Sequence, residues 1–167
     1  MKNIYGFECG KQTEKDVKAF LGLPQEVSKA GEIDLVYNGI TCEVKRGACA
    51  LYVGKRFNRN RNANNVITVL MRENFYTVDD ENAKGSALAK SERIIYSIDG
   101  TLENTYCLGT GLFLSFAAPI AKLYKTGKGT KILRIVPNEA FLWNIRNSCL
   151  TLAQWKARQD AKEARKA

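Results

Sequence analysis

Residues 32–45 have the sequence EIDLVYNGITCEVK. Apolar and polar side chains alternate on both sides of Asn38-Gly39, a pair that favours the type I′ turn of a two-residue β-hairpin. The pattern therefore predicts two antiparallel strands, 32–37 and 40–45. A two-residue turn fixes the register, so that Tyr37 pairs with Ile40 and Asp34 pairs with Glu43.

This register separates an apolar face of the hairpin from a polar face. The apolar face carries Ile33, Leu35, Tyr37, Ile40, Cys42 and Val44. The polar face carries Glu32, Asp34, Glu43 and Lys45, all at the end away from the turn. Residues directly opposite each other have Cβ atoms about 4.5–5.5 Å apart, where like charges are destabilising. A solvated face with a Glu32–Lys45 salt bridge would leave the pairing of Asp34 with Glu43 unexplained, and these two need a proton or a cation between them.

Carboxylate oxygens on a partly buried face suit Mg²⁺ or Mn²⁺. Lys45 follows Glu43 by two residues, so its side chain leaves the same face of the strand and can reach a water molecule or a phosphate oxygen. These parts suffice for phosphodiester hydrolysis, because the cation neutralises the phosphate and the ammonium stabilises developing charge or orients the nucleophile. The hairpin thus predicts Asp34, Glu43 and Lys45 as catalytic residues.

Asp34, eight intervening residues and Glu43-Val44-Lys45 together resemble the signature of the PD-(D/E)XK nuclease superfamily, which includes restriction enzymes and recombination exonucleases. The resemblance covers residues 11–70, and Ile33 stands where many members have proline. It implies an α/β, restriction-endonuclease-like fold, with a mixed β-sheet flanked by helices and an α-β-β-β-α-β core. It also implies four metal ligands, namely Asp34, Glu43, the carbonyl of Val44, and Glu14 from the preceding helix.

Glu14 belongs to a helix predicted over residues 12–23. Thr13 and Asp16 have a spacing similar to that of a capping box, and Gly22 with Pro24 ends the apolar stripe. A second interpretation makes Glu14 only a favourable charge in the first turn of the helix. Glu26, in the loop that leads to the hairpin, is the alternative ligand.

The amino-acid composition limits the kinds of active site that this chain can form. The 167 residues include no histidine, which excludes histidine-dependent nucleases, and their five scattered cysteines contain no Cys-x-x-Cys pair. A zinc site and a secreted disulfide framework are therefore disfavoured. The net charge of +9 is typical of proteins with a polyanionic partner.

One acid-free stretch carries much of this charge. Residues 46–72 contain six basic residues and no acidic one, with Phe57 among them. Such a stretch suits contact with a phosphate backbone, although a solvated loop is the simpler alternative. The predicted DNA-binding residues are Arg46, Lys55, Arg56, Arg59 and Arg61.

The remaining elements are less sharply patterned. Strands are predicted over 48–53, 66–70, 74–78 and 131–136, and helices over 88–94 and 139–147. Residues 1–152 are expected to form one nuclease-like domain. Residues 153–167 form a charged helical tail that is expected to lie outside the core or to fray.

The resemblance implies a Mg²⁺- or Mn²⁺-dependent deoxyribonuclease, with DNA preferred over RNA because most of the family acts on DNA. A homodimer is one option, since two strands must be cut. No membrane span or signal peptide is apparent, and a cytoplasmic location is expected. The alternatives are a catalytically weak or inactive nucleic-acid-binding protein on the same scaffold, such as a phage or mobile-element factor or an anti-defence protein, and a structural basic domain of a larger complex.

Overall fold

The computed structural model describes residues 4–28, 32–52, 67–68, 91–125 and 131–166. The elements in chain order are α1 (Ile4–Phe20), β1 (Leu35–Tyr37), β2 (Ile40–Arg46), β3 (Cys49–Tyr52), β4 (Arg93–Ser97), β5 (Thr105–Gly109), α2 (Thr110–Ala117), β6 (Lys122–Lys125), β7 (Lys131–Ile135), α3 (Glu139–Ser148), β8 (Leu150–Thr151) and α4 (Leu152–Lys166). A short 3-10 turn, Leu102–Asn104, precedes β5.

The predicted hairpin is present with the predicted register. Leu35 pairs with Cys42 and Tyr37 with Ile40. Asn38 and Gly39 have φ values of 49° and 82°, the left-handed conformations that a type I′ turn requires. The turn chemistry of these two residues therefore sets the pairing of β1 with β2.

The first predicted strand is longer than the observed one. β1 begins at Leu35, so the ladder does not include Glu32, Ile33 or Asp34. The Asp34 side chain explains the early end, because its carboxylate accepts a hydrogen bond of 2.7 Å from the Val44 N–H. The predicted strand pairing of Asp34 with Glu43 is therefore absent. The Asp34 carboxyl group instead contacts the Val44 N–H, just before β1 begins.

A mixed sheet of five strands, in the order β1-β2-β4-β5-β8, forms the centre of the fold. β4 runs parallel to β2 and antiparallel to β5, which makes the sheet mixed as expected. A second, antiparallel sheet has the order β3-β7-β6. With helices flanking these sheets, the α/β class and the mixed sheet are confirmed.

Hydrophobic residues bury both faces of β4. Ile95 belongs to one cluster, with Val17 of α1 and Trp155 of α4. Ile94 and Tyr96 belong to the other, which also contains residues of α2, α3 and the small sheet. The parallel register places Glu43 beside Ile94. Glu43 and Lys45 therefore leave β2 on the side of the large sheet that faces the small one.

Two predicted elements are wrong. The helix over 88–94 is contradicted over its described residues, 91–94, where β4 begins. The consecutive apolar residues of β4 are buried on both faces and so lack the alternation of a half-exposed strand. The strand over 66–70 is contradicted where it is described, because Ile67 and Thr68 are helical. Burial of Ile67 in the core outweighs the β preference of its side chain.

The other predicted elements are confirmed, have different bounds or lie outside the described residues. The strands over 48–53 and 131–136 correspond to β3 and β7, and the helix over 139–147 corresponds to α3. Asn138 caps α3 by accepting a hydrogen bond from the Phe141 N–H. The helix predicted over 12–23 begins earlier, at Ile4, and ends at Phe20. The strand predicted over 74–78 lies outside the described residues.

The C-terminal segment is helical as predicted, but the expectation that it lies outside the core is wrong for its first turns. Leu152 and Trp155 are almost completely buried. The Trp155 ring packs against Tyr37 with ring centroids 5.7 Å apart. The Tyr37 hydroxyl hydrogen-bonds to Asp160, which also pairs with Lys156. α4 is therefore attached to the hairpin through both apolar and polar contacts.

Candidate metal centre

Two pairs of neighbouring acids, Glu14 with Asp34 and Asp34 with Glu43, lie where α1 passes the open end of the hairpin. Glu14 comes from α1, Asp34 precedes β1, and Glu43 lies in the middle of β2. Glu14 and Glu43 are buried, with 6% and 8% of their surface exposed. Asp34 interacts with both, since Glu14 raises the pKa of Asp34 and Asp34 raises the pKa of Glu43. Asp34 is thus the neighbour of each of the other two acids that the sequence analysis selects.

Asp34 is held in place by two donors. Its Oδ1 lies 2.6 Å from Ser28 Oγ, and its Oδ2 accepts the hydrogen bond from the Val44 N–H. Burial raises the pKa of Asp34, and the nearby Glu14 carboxylate raises it further. The Ser28 and Val44 donors oppose this rise without cancelling it. Asp34 is therefore a fixed carboxyl group that retains its proton more readily than usual.

Ser28 joins Glu14 to Asp34. Ser28 donates its N–H to Glu14 Oε2 at 2.8 Å, and its Oγ lies 3.0 Å from Glu14 Oε1 as well as 2.6 Å from Asp34. A hydroxyl has only one hydrogen, so it cannot donate to two ionised carboxylates at once. Of the two carboxyl groups, Asp34 is the one whose pKa is raised, by burial and by the Glu14 carboxylate.

Glu14 is the ionised member of this pair. Burial raises the pKa of Glu14, but hydrogen bonds from the Ser28 N–H and from the neighbouring side chains outweigh it and lower the pKa overall. Lys18 Nζ lies 3.2 Å from Glu14 Oε2 and also donates to the Glu26 carbonyl. The negative charge of Glu14 is therefore balanced by the positive charge of Lys18.

Sequence reasoning missed Lys18 and Ser28. The spacing of Glu14 and Lys18, one helical turn apart, was the available signal for the buried lysine. Ser28 lies in an irregular segment, where no periodicity marks it. Glu26, the alternative ligand, has an exposed side chain and contributes only its carbonyl, to Lys18.

Glu43 has one satisfied and one unsatisfied oxygen. Its Oε1 lies 3.4 Å from Lys45 Nζ. Its Oε2 is buried and has no hydrogen-bond partner among the described residues. Burial raises the pKa of Glu43, the Lys45 charge opposes the rise and the Asp34 carboxyl adds to it, and the net pKa is about 7. Unpaired carboxylate oxygens in low dielectric are costly, so Glu43 needs a proton or a cation.

Lys45 lies at the rim of the site. Its ammonium donates to the Ala50 carbonyl at 3.0 Å, and 21% of its side chain is exposed. The predicted projection of Glu43 and Lys45 from one face is confirmed by their contact. An ammonium in this position can meet a ligand from solvent while it remains next to the carboxyl groups.

The donor chemistry fits a hard divalent cation. Carboxylate oxygens are the groups that Mg²⁺ and Mn²⁺ prefer, and Glu43 Oε2 is the buried oxygen that lacks a partner. Within the described part of the chain, no three acidic, cysteine or histidine side chains already converge on one point as a metal cage. Both Asp34 oxygens are engaged by Ser28 and Val44, so a cation would require the carboxyl groups to lose protons and turn inward.

The other predicted site residues lie apart from this cluster. Arg46 donates to the Asp99 carbonyl at 2.9 Å, and its guanidinium packs over Gly100. Glu32 is exposed. Lys55, Arg56, Arg59 and Arg61 lie outside the described residues, and their role in DNA binding stays a prediction.

The raised pKa of Glu43 predicts a pH-dependent stability. A carboxyl whose pKa is about 7 in the folded state and 4.5 ordinarily adds stability that is fully present below pH 4.5 and lost as the pH rises through 7. Glu43→Gln removes this titration. In chelator, we expect the variant to gain about 3 kcal/mol relative to wild type between pH 4.5 and pH 8.

Urea unfolding at several pH values, followed by circular dichroism, measures this difference. Glu103→Gln, on the exposed 3-10 turn, is the matched control and is expected to follow wild type. Parallel stability curves for wild type and Glu43→Gln would show that Glu43 does not titrate in this range.

Comparison with protein-family models, with curated proteins and with solved structures finds no match. The likeness to the PD-(D/E)XK superfamily therefore depends on the residues of this chain alone. Those residues are the acids of α1 and the hairpin, and the lysine that follows Glu43 by two positions.

Proposed function

We propose that the protein is a divalent-metal-dependent nuclease that hydrolyses DNA phosphodiester bonds. The observation that supports this most strongly is Glu43. It is buried beside Asp34, has an oxygen without a described partner, and contacts Lys45. A purely structural hairpin gains nothing from a buried carboxyl group beside a partly buried one, because desolvation and repulsion both destabilise the pair.

Asp34 and Glu43 are the principal metal ligands in this proposal, with the Val44 carbonyl and Glu14 as further ligands. A bound Mg²⁺ or Mn²⁺ supplies charge neutralisation at the phosphate and lowers the pKa of a water molecule. Ser28 keeps Asp34 and Glu14 in position through their shared contacts. The Ser28 N–H and Lys18 both favour the ionised form of Glu14, which is the form that a metal ligand requires.

Lys45 acts on the phosphate in this proposal. Its ammonium is partly exposed and is already adjacent to Glu43, so a phosphate oxygen that reaches the rim meets a fixed positive charge. Such a charge stabilises the negative charge that builds up during hydrolysis. Lys45 also orients the attacking water when it exchanges its bond to the Ala50 carbonyl for one to that water.

A nucleic acid is the proposed substrate because of the net charge of +9 and the acid-free stretch over residues 46–72, and DNA is preferred over RNA because most of the resembling family acts on DNA. No helix in the described part of the chain is long and apolar enough to cross a membrane. The cysteines described with their side chains, Cys42, Cys49, Cys107 and Cys149, are free thiols, which is consistent with the proposed cytoplasmic location.

The second candidate is a nucleic-acid-binding protein that retains the scaffold without efficient catalysis. One observation favours it: both oxygens of Asp34 are occupied by Ser28 and Val44, and no ready-made metal cage is found among the described residues. In this case the same basic surface would bind DNA without cutting it.

Cleavage assays separate the two candidates. Supercoiled, linear, single-stranded and branched DNA are incubated with Mg²⁺ or Mn²⁺ and, in parallel, with chelator. We expect metal-dependent cutting of at least one substrate by wild type, and loss of cutting in Lys45→Ala but not in the exposed-lysine control Lys162→Ala. Binding of DNA without cleavage under any of these conditions would favour the second candidate.

A further inference from the structure

The small sheet has one buried and one exposed face. Leu51 and Leu133 are fully buried, and Leu123 packs against the same cluster. Because side chains alternate along a strand, Ala50, Arg134 and Lys122 lie on the opposite face, and all three are exposed. The register places them in one row, since Arg134 pairs with Ala50 on one side and with Lys122 on the other.

This exposed face places positive charges directly opposite each other. Lys122 is the cross-strand partner of Arg134, and both side chains are exposed. Like charges in such positions destabilise an antiparallel pair. Among the described residues, no acidic side chain forms an ion pair with Lys122 or Arg134. An anionic partner would remove this repulsion.

The sequence around these strands is also free of acids. β3 lies within the segment 44–72, and β6 and β7 lie within the segment 104–138. Neither segment contains an aspartate or a glutamate. Every ionisable side chain that the three strands can present to an anion is therefore positive or neutral. The two acid-free segments, far apart in sequence, are combined in one sheet.

Tyr124 adds an aromatic side chain to this face. It pairs with Ile132, and 47% of its surface is exposed. Exposed aromatic rings between basic side chains are typical of surfaces that bind nucleic acid, because bases stack on the ring while phosphates contact the cations. A lipid surface would instead favour several apolar side chains that can insert.

The face adjoins the candidate metal centre. The Lys45 ammonium donates to the carbonyl of Ala50, which is a residue of β3 on the exposed face. A nucleic-acid strand bound along Ala50, Arg134 and Lys122 would therefore lie next to the residue whose carbonyl Lys45 contacts. This contact gives the surface a direct connection to the chemistry proposed above.

We propose that the exposed face of the β3-β7-β6 sheet binds the phosphate backbone of a nucleic acid and directs it to Lys45. This inference rests on the proposed function for the identity of the polyanion. Arg134 and Lys122 contact phosphates, and Tyr124 stacks on a base or packs against a sugar. The surface binds without regard to sequence, because backbone contacts carry no base information.

Binding measured in chelator tests the surface without any requirement for cleavage. Fluorescence anisotropy with labelled single-stranded and duplex DNA gives affinity as a function of salt. For the double variant Lys122→Gln/Arg134→Gln, we expect about tenfold weaker binding near 0.1 M salt and a salt slope lower by about two. The control Lys162→Gln/Arg165→Gln removes the same charge from exposed positions on α4 and is expected to keep the slope.

Thermal unfolding checks that the double variant is folded, and its midpoint is expected to rise or stay unchanged because repulsion is removed. Equal loss of affinity in both double variants would overturn the proposal. So would a loss of binding to phosphatidylserine vesicles with DNA binding intact. If wild type binds DNA on this face but cleaves no DNA in the presence of metal, the binding surface is supported and the proposed nuclease activity is refuted.

Discussion

Asp34→Asn is expected to reduce metal-dependent DNA cleavage by about a thousandfold, which corresponds to roughly 4 kcal/mol of transition-state stabilisation. Asp34 interacts with both Glu14 and Glu43, so it is the acid whose loss affects every proposed ligand. An amide keeps an oxygen for the Val44 N–H but cannot become negative when a cation arrives. Initial rates on the best substrate of the cleavage assay measure the effect.

Folding does not account for this expected loss. An amide has nearly the same shape as the carboxyl group and can still accept the hydrogen bond from the Val44 N–H, so this contact of the metal-free protein is kept. The stability of Asp34→Asn is therefore expected to stay within about 1 kcal/mol of wild type. Glu103→Gln, the exposed acid-to-amide control, is expected to cleave at the wild-type rate. A rate within tenfold of wild type in Asp34→Asn would remove Asp34 from the catalytic site.

Trp155→Ala is expected to lower the free energy of unfolding by about 3–5 kcal/mol. Only 2% of this side chain is exposed, and its ring packs against Tyr37 of β1. Truncation leaves a cavity between α4 and the hairpin that the surrounding side chains cannot fill. Since ordinary domains are stable by only about 5–15 kcal/mol, a large part of the stability would be lost.

Urea unfolding of Trp155→Ala measures this loss, with Trp143→Ala as the matched control. Trp143 lies on α3 with 63% of its surface exposed, and its removal is expected to cost less than about 1 kcal/mol. Trp155→Phe keeps most of the ring, and the Trp155 Nε1 has no hydrogen-bond partner among the described residues. It is therefore expected to be milder than alanine. Equal effects of the two alanine variants would mean that α4 is not part of the core.

The hairpin shows what local sequence can determine. Asn38 and Gly39 specify the turn, and the turn fixes which residues of β1 and β2 face each other. This was enough to place Glu43 beside Lys45 and to keep Leu35 and Cys42 on the buried side. β4 could not be found in the same way, because its burial on both faces depends on α1 and on the small sheet, which come from distant parts of the chain.

The candidate site was only partly predictable for the same reason. Asp34 and Glu43 follow from alternation in the hairpin, but the choice between Glu14 and Glu26 depends on how α1 crosses its open end. Ser28 contacts Glu14 across 14 positions and lies in no regular element. Side chains that are positioned by tertiary contacts alone give no periodic signal, which explains why Ser28 and Lys18 were missed.

Titration of Mn²⁺ into the protein at pH 8, with free Mn²⁺ followed by electron paramagnetic resonance, tests the metal centre most directly. At this pH Glu43 has lost its proton, since its pKa is about 7. Wild type and Glu103→Gln are expected to bind Mn²⁺ saturably with a Kd below about 1 mM, and Asp34→Asn to show no saturable binding in that range. Absence of binding to wild type, or equal binding to Asp34→Asn, would contradict the assignment of this cluster as a metal centre.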